Sequence, residues 1–406
     1  MIRKLAPTDA VVVAYRRTPF GRARKGSLAQ ERPEDLALSA VRAAVALVPA
    51  LDAATVDDMY LGTAVPHGAQ GDNIARRVAV YAGWDSVPGA TINRFCASSL
   101  EALASAARAI RAGDGDVFLA AGVDSTSSTP PISTDLYPGS DVAAARADLQ
   151  FASGETWTDP RNSDLAPDVY IAMGKTAEFV ARLTQTSRRE QDEWAVQSQS
   201  RAAAAIRSGF FAREIAPYTL AGGSVVTVDD GPRPDTTLEG LEGLRPAFAD
   251  DGTVTAGNAS PLNDGASAAV VMSAARAHEL GLTPLARILG AGASALSPEI
   301  MGLGPVGATR KVLARLGLTV DDVDLVELNE AFAAQVIPTV RELGLDPERV
   351  NVHGGAIAIG HPFGATGVRL AGTLINGLQE RDGTLGLVTL CIGGGQGMAL
   401  VLERLR

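Results

Sequence analysis

The 406-residue sequence predicts an α/β protein made of two similar halves, each with a mixed sheet, the first half interrupted by an inserted loop-rich domain. Three observations carry that expectation. Short apolar runs of strand length alternate with Ala-rich helical segments along most of the chain. An internal repeat relates its two ends: TVDDMYLGTAV starts at Thr55 and TVDDVDLVELNEAF at Thr319, 264 residues later, each after an Ala/Leu/Val-rich helical stretch and each running into an apolar strand. Between the repeats, from about Thr126 to Pro167, the composition shifts to Ser, Thr, Pro, Asp and Gly, which reads as loops. The expected division is residues 1–125 for the first half, 126–262 for the insertion, 263–283 for a return to the first half, and 284–406 for the second half.

The elements follow in order. AVVVAY (10–15) reads as a first buried strand, rich in β-branched valine. DLALSAVRAAVALV (35–48) has a helical pattern, and TVDDMYLGTAV follows as a strand. TINRFCASSLEALASAARAI, from Thr91, passes from a short apolar segment into a long Ala-rich helix, with Cys96 at the junction. DVFLAAGVDS is the next strand. Inside the insertion, MGKTAEFVARL and SRREQDEWAVQSQSRAAAAIRSG read as helices; in the second, Ser187 and Glu190 make a capping box and Gly209 a C-terminal stop. TVTAGNASPLNDGASAAVVM ends strand-like. GATRKVLARLGL is a helix, LVELNEAFAAQ a strand that opens a helix, and GGAIAIGHPFGATGVRLAGTLINGL a glycine-rich loop feeding a helix. LGLVTLCIGGG is a buried strand ending in glycines.

Bulk properties exclude several function classes. A net charge of −10, with both signs interspersed, argues against nucleic acid as the main partner, although a local basic patch could still take a phosphorylated ligand. No apolar run approaches the ~20 residues of a membrane span. The N-terminal apolar run is too short for a signal-peptide core. Two cysteines in so long a chain make no disulfide framework, so a reducing cytoplasm is expected.

Four reactive or polar residues fall at loop positions after strands. Cys96, at a strand-to-helix junction, would face backbone N–H groups and the positive end of a helix dipole, which should lower its pKa. His361 sits among glycines, which permit close backbone approach. The repeat spacing superposes it on Cys96, 265 residues earlier. Cys391 ends an apolar strand before IGGGQG, whose backbone N–H groups could face an oxyanion. Asn329 ends a strand and opens a helix, where it could equally be a cap. His353, His67 and His278 read as structural or surface residues. A nucleophile, a base and two proton or charge managers are what acyl transfer requires.

These blocks resemble the thiolases. INRFCASSLEAL, AMGKTAEFVA, VTAGNASPLNDGA, NEAFAAQ, GGAIAIGHPFGATG and CIGGGQGMA come in family order and span nearly the whole chain. The resemblance implies a five-layer αβαβα core from the two halves, with the loop domain inserted in the first. It implies that Cys96 is acylated, His361 takes its proton, and Cys391 moves the proton at the α-carbon of the acetyl unit. Asn329 would hold a water that, with His361, stabilises the thioester enolate, and the N–H groups of Cys96 and Gly393 would form a second oxyanion hole. Met173, Phe248, Ala256, Ser260, Ala331 and Phe332 would line a pantetheine channel, with Ser260 hydrogen-bonding an amide of the ligand. Coenzyme A enters as substrate, no cofactor is bound permanently, no metal is used, and a homodimer or homotetramer is expected. Three departures stand out: Ser99 replaces the usual glycine in CASS, Ser260-Pro261-Leu262 replaces Ser-Gly-Leu, and Ala172 stands where short-chain biosynthetic members often have histidine. The last leans away from an acetoacetyl-CoA enzyme and toward a broader degradative 3-ketoacyl-CoA thiolase. A decarboxylating ketoacyl synthase or a non-catalytic acyl-CoA-binding relative are the competing expectations.

Overall fold

The computed structural model describes residues 4–129 and 136–405. Its strands are β1 (Ala10–Arg17), β2 (Gly21–Arg22), β3 (Asp58–Gly62), β4 (Gly89–Ile92), β5 (Val117–Ser125), β6 (Tyr218–Thr219), β7 (Val225–Val226), β8 (Asn263–Ser273), β9 (Ala286–Ala295), β10 (Leu325–Leu328), β11 (Leu385–Ile392) and β12 (Gln396–Arg404). Its α-helices are α1 (Pro33–Val45), α2 (Ile74–Tyr81), α3 (Ser98–Ala112), α4 (Ser140–Ala152), α5 (Met173–Leu183), α6 (Arg188–Arg207), α7 (Leu238–Glu242), α8 (Ala274–Glu279), α9 (Gly304–Leu316), α10 (Ala333–Leu343), α11 (Ala356–Ile359) and α12 (Thr366–Glu380).

The two expected sheets meet. The strand order β10-β11-β12-β9-β1-β8-β5-β3-β4 runs through both halves, joined where β9 pairs with β1 at Val11–Arg287 and Val12–Ala286. Each half uses the same plan. In the first, β3 and β5 are parallel, and β8 and β1 then pair antiparallel. In the second, β10 and β11 are parallel, and β12 and β9 follow antiparallel.

Side-chain alternation shows how the layers stack. Phe118 and Ala120 of β5 enter one core, while Val117, Leu119, Ala121 and Val123 enter another. Likewise Val388, Leu390 and Ile392 of β11 face the first core and Leu385 and Leu387 a third. The first core is filled by α3 and α12, the second by α1 and α2, the third by α9 and α10. The result is the five-layer αβαβα order, with α3 and α12 sandwiched between the half-sheets. Both faces of the central strands are buried, so they read as continuous apolar runs. Gly367 permits the middle layer to close, because a Cβ there would overlap Leu100 of α3.

The duplication is real in element order, but its register differs from that of the TVDD segments. The 3₁₀ turn Phe95–Ala97 recurs as Phe363–Ala365, α3 as α12 and β5 as β11, each starting 268 residues later. Cys96 is therefore equivalent to Gly364, and His361 stands three residues ahead of that position. The loops between the TVDD segments and these helices differ in length, so one offset cannot align both. The long segment between β5 and β8 contributes α4 to α7 and the small β6–β7 ribbon. The capping box at Ser187 and Glu190 is formed, and Gly209 takes φ +74° just beyond α6. No helix among the described residues is long and apolar enough to cross a membrane.

Candidate active site

Cys96 lies in the 3₁₀ turn before α3, not on the helix. Phe95 just before it has φ +43°, a left-handed conformation that costs a non-glycine residue about 1–3 kcal/mol. The turn is held by Ser98, whose Oγ donates to Phe95 O (2.6 Å) and accepts from Arg94 N–H (2.9 Å). It points the half-buried thiol at the end of β11, where the sulfur accepts from the N–H of Gly393. Phe95 and Met173 flank Gly393: a Cβ there would lie 3.7 Å from Met173 Sδ and 3.9 Å from Phe95 Cγ.

Cys391, the last buried residue but one of β11, has no exposed surface. It packs with Met301, Ala331 and Phe332. Charge on Cys96 raises its pKa further, so the two thiols, 295 positions apart in sequence, share one electrostatic neighbourhood.

His361 is 2% exposed. Its backbone N–H donates to Asn263 Oδ1 (2.9 Å), and its Nε2 faces Asn329 Nδ2 at 3.2 Å. Its Nδ1 lies 2.7 Å from Thr366 Oγ1. That hydroxyl already donates its one hydrogen to Pro362 O (2.8 Å), so it can only accept from the ring. The network thus assigns the proton to Nδ1 and leaves the Nε2 lone pair on the Asn329 side. Asn329 Oδ1 is buried with no partner among the described residues. Asn329 is not a helix cap: β10 ends at Leu328, α10 starts at Ala333, and its neighbour Glu330 instead accepts from Trp194 Nε1 (3.0 Å), Ser198 Oγ (2.7 Å), Asn351 Nδ2 (2.9 Å) and Ile357 N–H (3.1 Å).

The electrostatics correct one expectation. Burial outweighs the helix end and pushes the Cys96 thiol up to about 12, against the lowering pull of the Gly393 and Cys96 N–H groups; Asp124 adds to the rise. Burial pushes Cys391 up as well, so neither resting thiol is poised near neutrality. Burial, and then the charge of Arg369, lowers His361 to about 3. At rest the site therefore holds two thiols and a neutral imidazole.

Of the remaining expected residues, Phe248, Phe332, Ala331 and Ser260 form one connected group with Cys391, and Ala256 is not tied to it by any contact among the described residues. Phe248 lies across Gly174 and meets Phe332 edge-to-face at 6.3 Å. Phe332 bridges Ala259, and Ala331 touches Cys391. Ser260 donates its hydroxyl to Ala331 O (3.2 Å). Ala256 is exposed. Thr366, Asn263 and Asp124 escaped sequence reasoning although all three lie in quoted segments. Asp124, 1% exposed, accepts from Thr63 Oγ1 (3.2 Å), Gln70 Nε2 (3.0 Å), Ala64 N–H (2.9 Å) and Gly364 N–H, tying the histidine loop to the first half. The three departures from the usual motif are accommodated. Ser99 Oγ accepts from Val368 N–H (3.1 Å), joining α3 to the first turn of α12. Pro261 and Leu262 lead directly into β8, and Ala172 is exposed just before α5.

Comparison with known proteins agrees with this fold. The family models described as thiolase, N-terminal domain, and thiolase, C-terminal domain, match residues 10–275 and 282–404. The chain is 42% identical to a 3-ketoacyl-CoA thiolase of Saccharophagus degradans, over 98% of this chain and 99% of the relative. It is 46% identical to a 3-oxoadipyl-CoA/3-oxo-5,6-dehydrosuberyl-CoA thiolase of Escherichia coli K12, over 96% and 97%. Its fold superposes on the crystal structure of the Bacillus anthracis acetyl-CoA acetyltransferase with a TM-score of 0.87, 39% identity, and 99% and 100% coverage. From its half-sheets to the two thiols at the end of β11, the chain belongs to the thiolase family.

Proposed function

We propose that the protein catalyses the CoA-dependent cleavage of a 3-ketoacyl-CoA to acetyl-CoA and a shortened acyl-CoA, and the reverse condensation. The observation that carries this reading is the shared electrostatic neighbourhood of Cys96 and Cys391 at the end of β11, with the turn just after His361 packed on the turn that holds Cys96. In the first step His361 Nε2 takes the Cys96 proton and the thiolate attacks the 3-keto carbon. The C2–C3 bond then breaks, and its electron pair passes through C2 to the thioester oxygen. Cys391 donates its proton to C2, completing acetyl-CoA. The acyl group remains on Cys96 as a thioester. Cys391 thiolate next deprotonates the incoming CoA thiol, whose thiolate attacks that thioester. Acyl-CoA leaves, and Cys96 recovers its proton from His361.

Charge develops on oxygen twice, and donors must be preplaced for it. Asn329 with His361, through a water, would serve the enolate. The N–H groups of Cys96 and Gly393, which already converge on the Cys96 sulfur, would serve the tetrahedral intermediates. The raised thiols and lowered imidazole favour a neutral resting site, so the Cys96 proton moves only when substrate supplies these compensating contacts. The pantetheine arm would approach past Met173, Phe248 and Phe332, whose side chains are partly exposed beside the thiols. Coenzyme A is substrate in this scheme, and a cytoplasmic enzyme is the consistent setting.

The test is thiolysis of 3-ketoacyl-CoA substrates by the purified protein with free CoA, followed by loss of the magnesium-enolate absorbance. Turnover is expected and should vanish in Cys96→Ala. Absence of turnover at every chain length would instead describe an acyl-CoA-binding protein, and an active Cys96→Ala would remove the nucleophile from the scheme.

A further inference from the structure

The strand end and the helix turn that hold His361 carry a second pair of residues. Glu327 lies two residues before Asn329, so the alternation of β10 sends both to one side of the sheet, the side on which Leu325 meets the core of α3 and α12. Arg369 lies three residues after Thr366, on the same face of α12. Arg369 Nη1 reaches Glu327 Oε2 at 3.4 Å, and neither side chain is more than 3% exposed. Asn329 and Thr366 thus meet His361 at Nε2 and Nδ1, while Glu327 and Arg369 tie together the same two segments. Resting on the proposed thiolase activity, we infer that Glu327 and Arg369 are positioning residues: their contact fixes α12 against β10 and so keeps the imidazole of His361 between Asn329 and Thr366, with its proton on Nδ1.

Stability alone does not account for the pair. Taking two charges out of water costs about as much as their attraction returns, unless the remaining donors are also satisfied. Here they are not: Arg369 Nε and Nη2 are buried without a partner among the described residues. The other polar side chains farther along α12 are tied elsewhere. Thr373 Oγ1 donates to Glu214 Oε2 (3.1 Å), and Asn376 Nδ2 to the hydroxyl of Tyr15 in β1 (2.7 Å). The contact with Glu327 is what joins this helix to the strand that leads into Asn329.

Charge acts in the same direction as geometry. Burial raises the Glu327 carboxyl to about 8, so at neutral pH the guanidinium carries the net charge of the pair. Among the neighbouring charges, Arg17 is matched by Glu214 (3.0 Å) and Asp229 (2.7 Å), and Glu330 is held by its four donors. Arg369 is the charge that bears on His361, lowering it after burial has done so. A cation at that place opposes a lasting imidazolium, so the proton that His361 takes from Cys96 is handed back rather than kept on the ring.

Apolar replacement of both residues separates position from stability, because such an exchange of a buried pair commonly leaves stability unchanged or higher. In Arg369→Met, and in the double variant Glu327→Leu with Arg369→Met, kcat for thiolysis should fall about tenfold or more, as it does when a reacting group is slightly misplaced, while KM for both substrates stays within about twofold. Arg369→Lys should recover most of the rate, since a single Nη1 contact asks for a charge and not for a fork. Nitrogen NMR of the histidine rings, with His361 assigned by its loss in His361→Asn, reads position without turnover. The neutral ring should carry its proton on Nδ1 in the wild-type and Arg369→Lys proteins, and on either nitrogen in the two Met-containing variants. Wild-type kcat in a double variant whose urea midpoint is undiminished, or a ring that stays protonated at Nδ1 alone in Arg369→Met, would overturn the inference. A wild-type protein that turns over no substrate, while the tautomer still shifts in Arg369→Met, sinks the thiolase activity and leaves the positioning role standing.

Discussion

A single hydroxyl decides which nitrogen of His361 is the base. Thr366 Oγ1 spends its hydrogen on Pro362 O, so Nδ1 must carry the ring proton and Nε2 is left to accept one. Thr366→Val should therefore lower kcat about tenfold or more with little change in KM, because the tautomer is no longer imposed, and Thr366→Ser should restore it; equal rates in Val and Ser variants would contradict the assignment. With His361 lowered to about 3, its protonation should not shape the profile above pH 5. With Cys96 pushed up to about 12, alkylation of the free enzyme by iodoacetamide should keep accelerating beyond pH 9, and a plateau below pH 8 would show that the N–H groups outweigh burial. Cys391→Ala should slow acylation of Cys96 by acyl-CoA far less than it slows condensation, because a CoA thiolate leaves more readily without a proton donor than a carbanion forms without a base, measured by single-turnover labelling; equal loss of both would contradict its role at the α-carbon.

At the scale of elements, the site is a meeting of two turns and one strand end. The turns Phe95–Ala97 and Phe363–Ala365 are equivalents in the duplicated plan, and they pack on each other over β5. Gly122 in β5 makes room for this, since a Cβ there would overlap Gly364 O. The inserted segment is pinned to the second half by two buried carboxylates. Glu299 accepts from Arg146, from Trp157 Nε1 (2.7 Å) and from Asp168 N–H (2.7 Å), while Glu330 gathers donors from α6, from Asn351 and from Ile357 N–H of α11. Glu330→Ala would strand four donors and should cost about 3 kcal/mol or more, read as a lower urea midpoint. It should also raise KM for CoA substrates, because α6 and Asn329 lose a common anchor. An unchanged midpoint would mean the donors find other partners.

Across the whole molecule, buried charge makes stability depend on pH. Glu327, beneath the site and 3.4 Å from Arg369, is raised by burial to about 8, against the attraction of Arg369 and with repulsion from Glu214 and Glu330. A raised carboxyl contributes stability that is complete below its unfolded value near 4.5 and is lost as pH climbs through 8. Subtracting wild-type from Glu327→Gln stability should therefore give a difference that moves in the variant's favour between pH 5 and 8, by a few kcal/mol at about 1.4 kcal/mol per pH unit. A flat difference would show that Glu327 stays ionised beside Arg369.

The order of strands and helices, the duplication, the capping box of α6 and the candidacy of Cys96, Asn329, His361 and Cys391 were legible in the linear chain. They rest on local causes: side-chain period, turn chemistry, and reactive residues near strand ends, although His361 follows the short helix α11 rather than a strand and Cys391 lies inside β11. What the chain could not express was anything set by distant atoms. Helix-end reasoning favoured a thiolate at Cys96, because the dipole is local, whereas the desolvation that raises the thiol comes from β11, α12 and the layers around them. The TVDD spacing matched Cys96 with His361, but loop lengths differ between halves and only the fold shows the 268-residue register. Thr366, Asn263 and Asp124 were invisible as partners of the site because a hydroxyl, an amide or a carboxylate shows no direction in a sequence. Local pattern determined which residues could react; tertiary packing decided their protonation, since burial and hydrogen-bond geometry are properties of many segments at once.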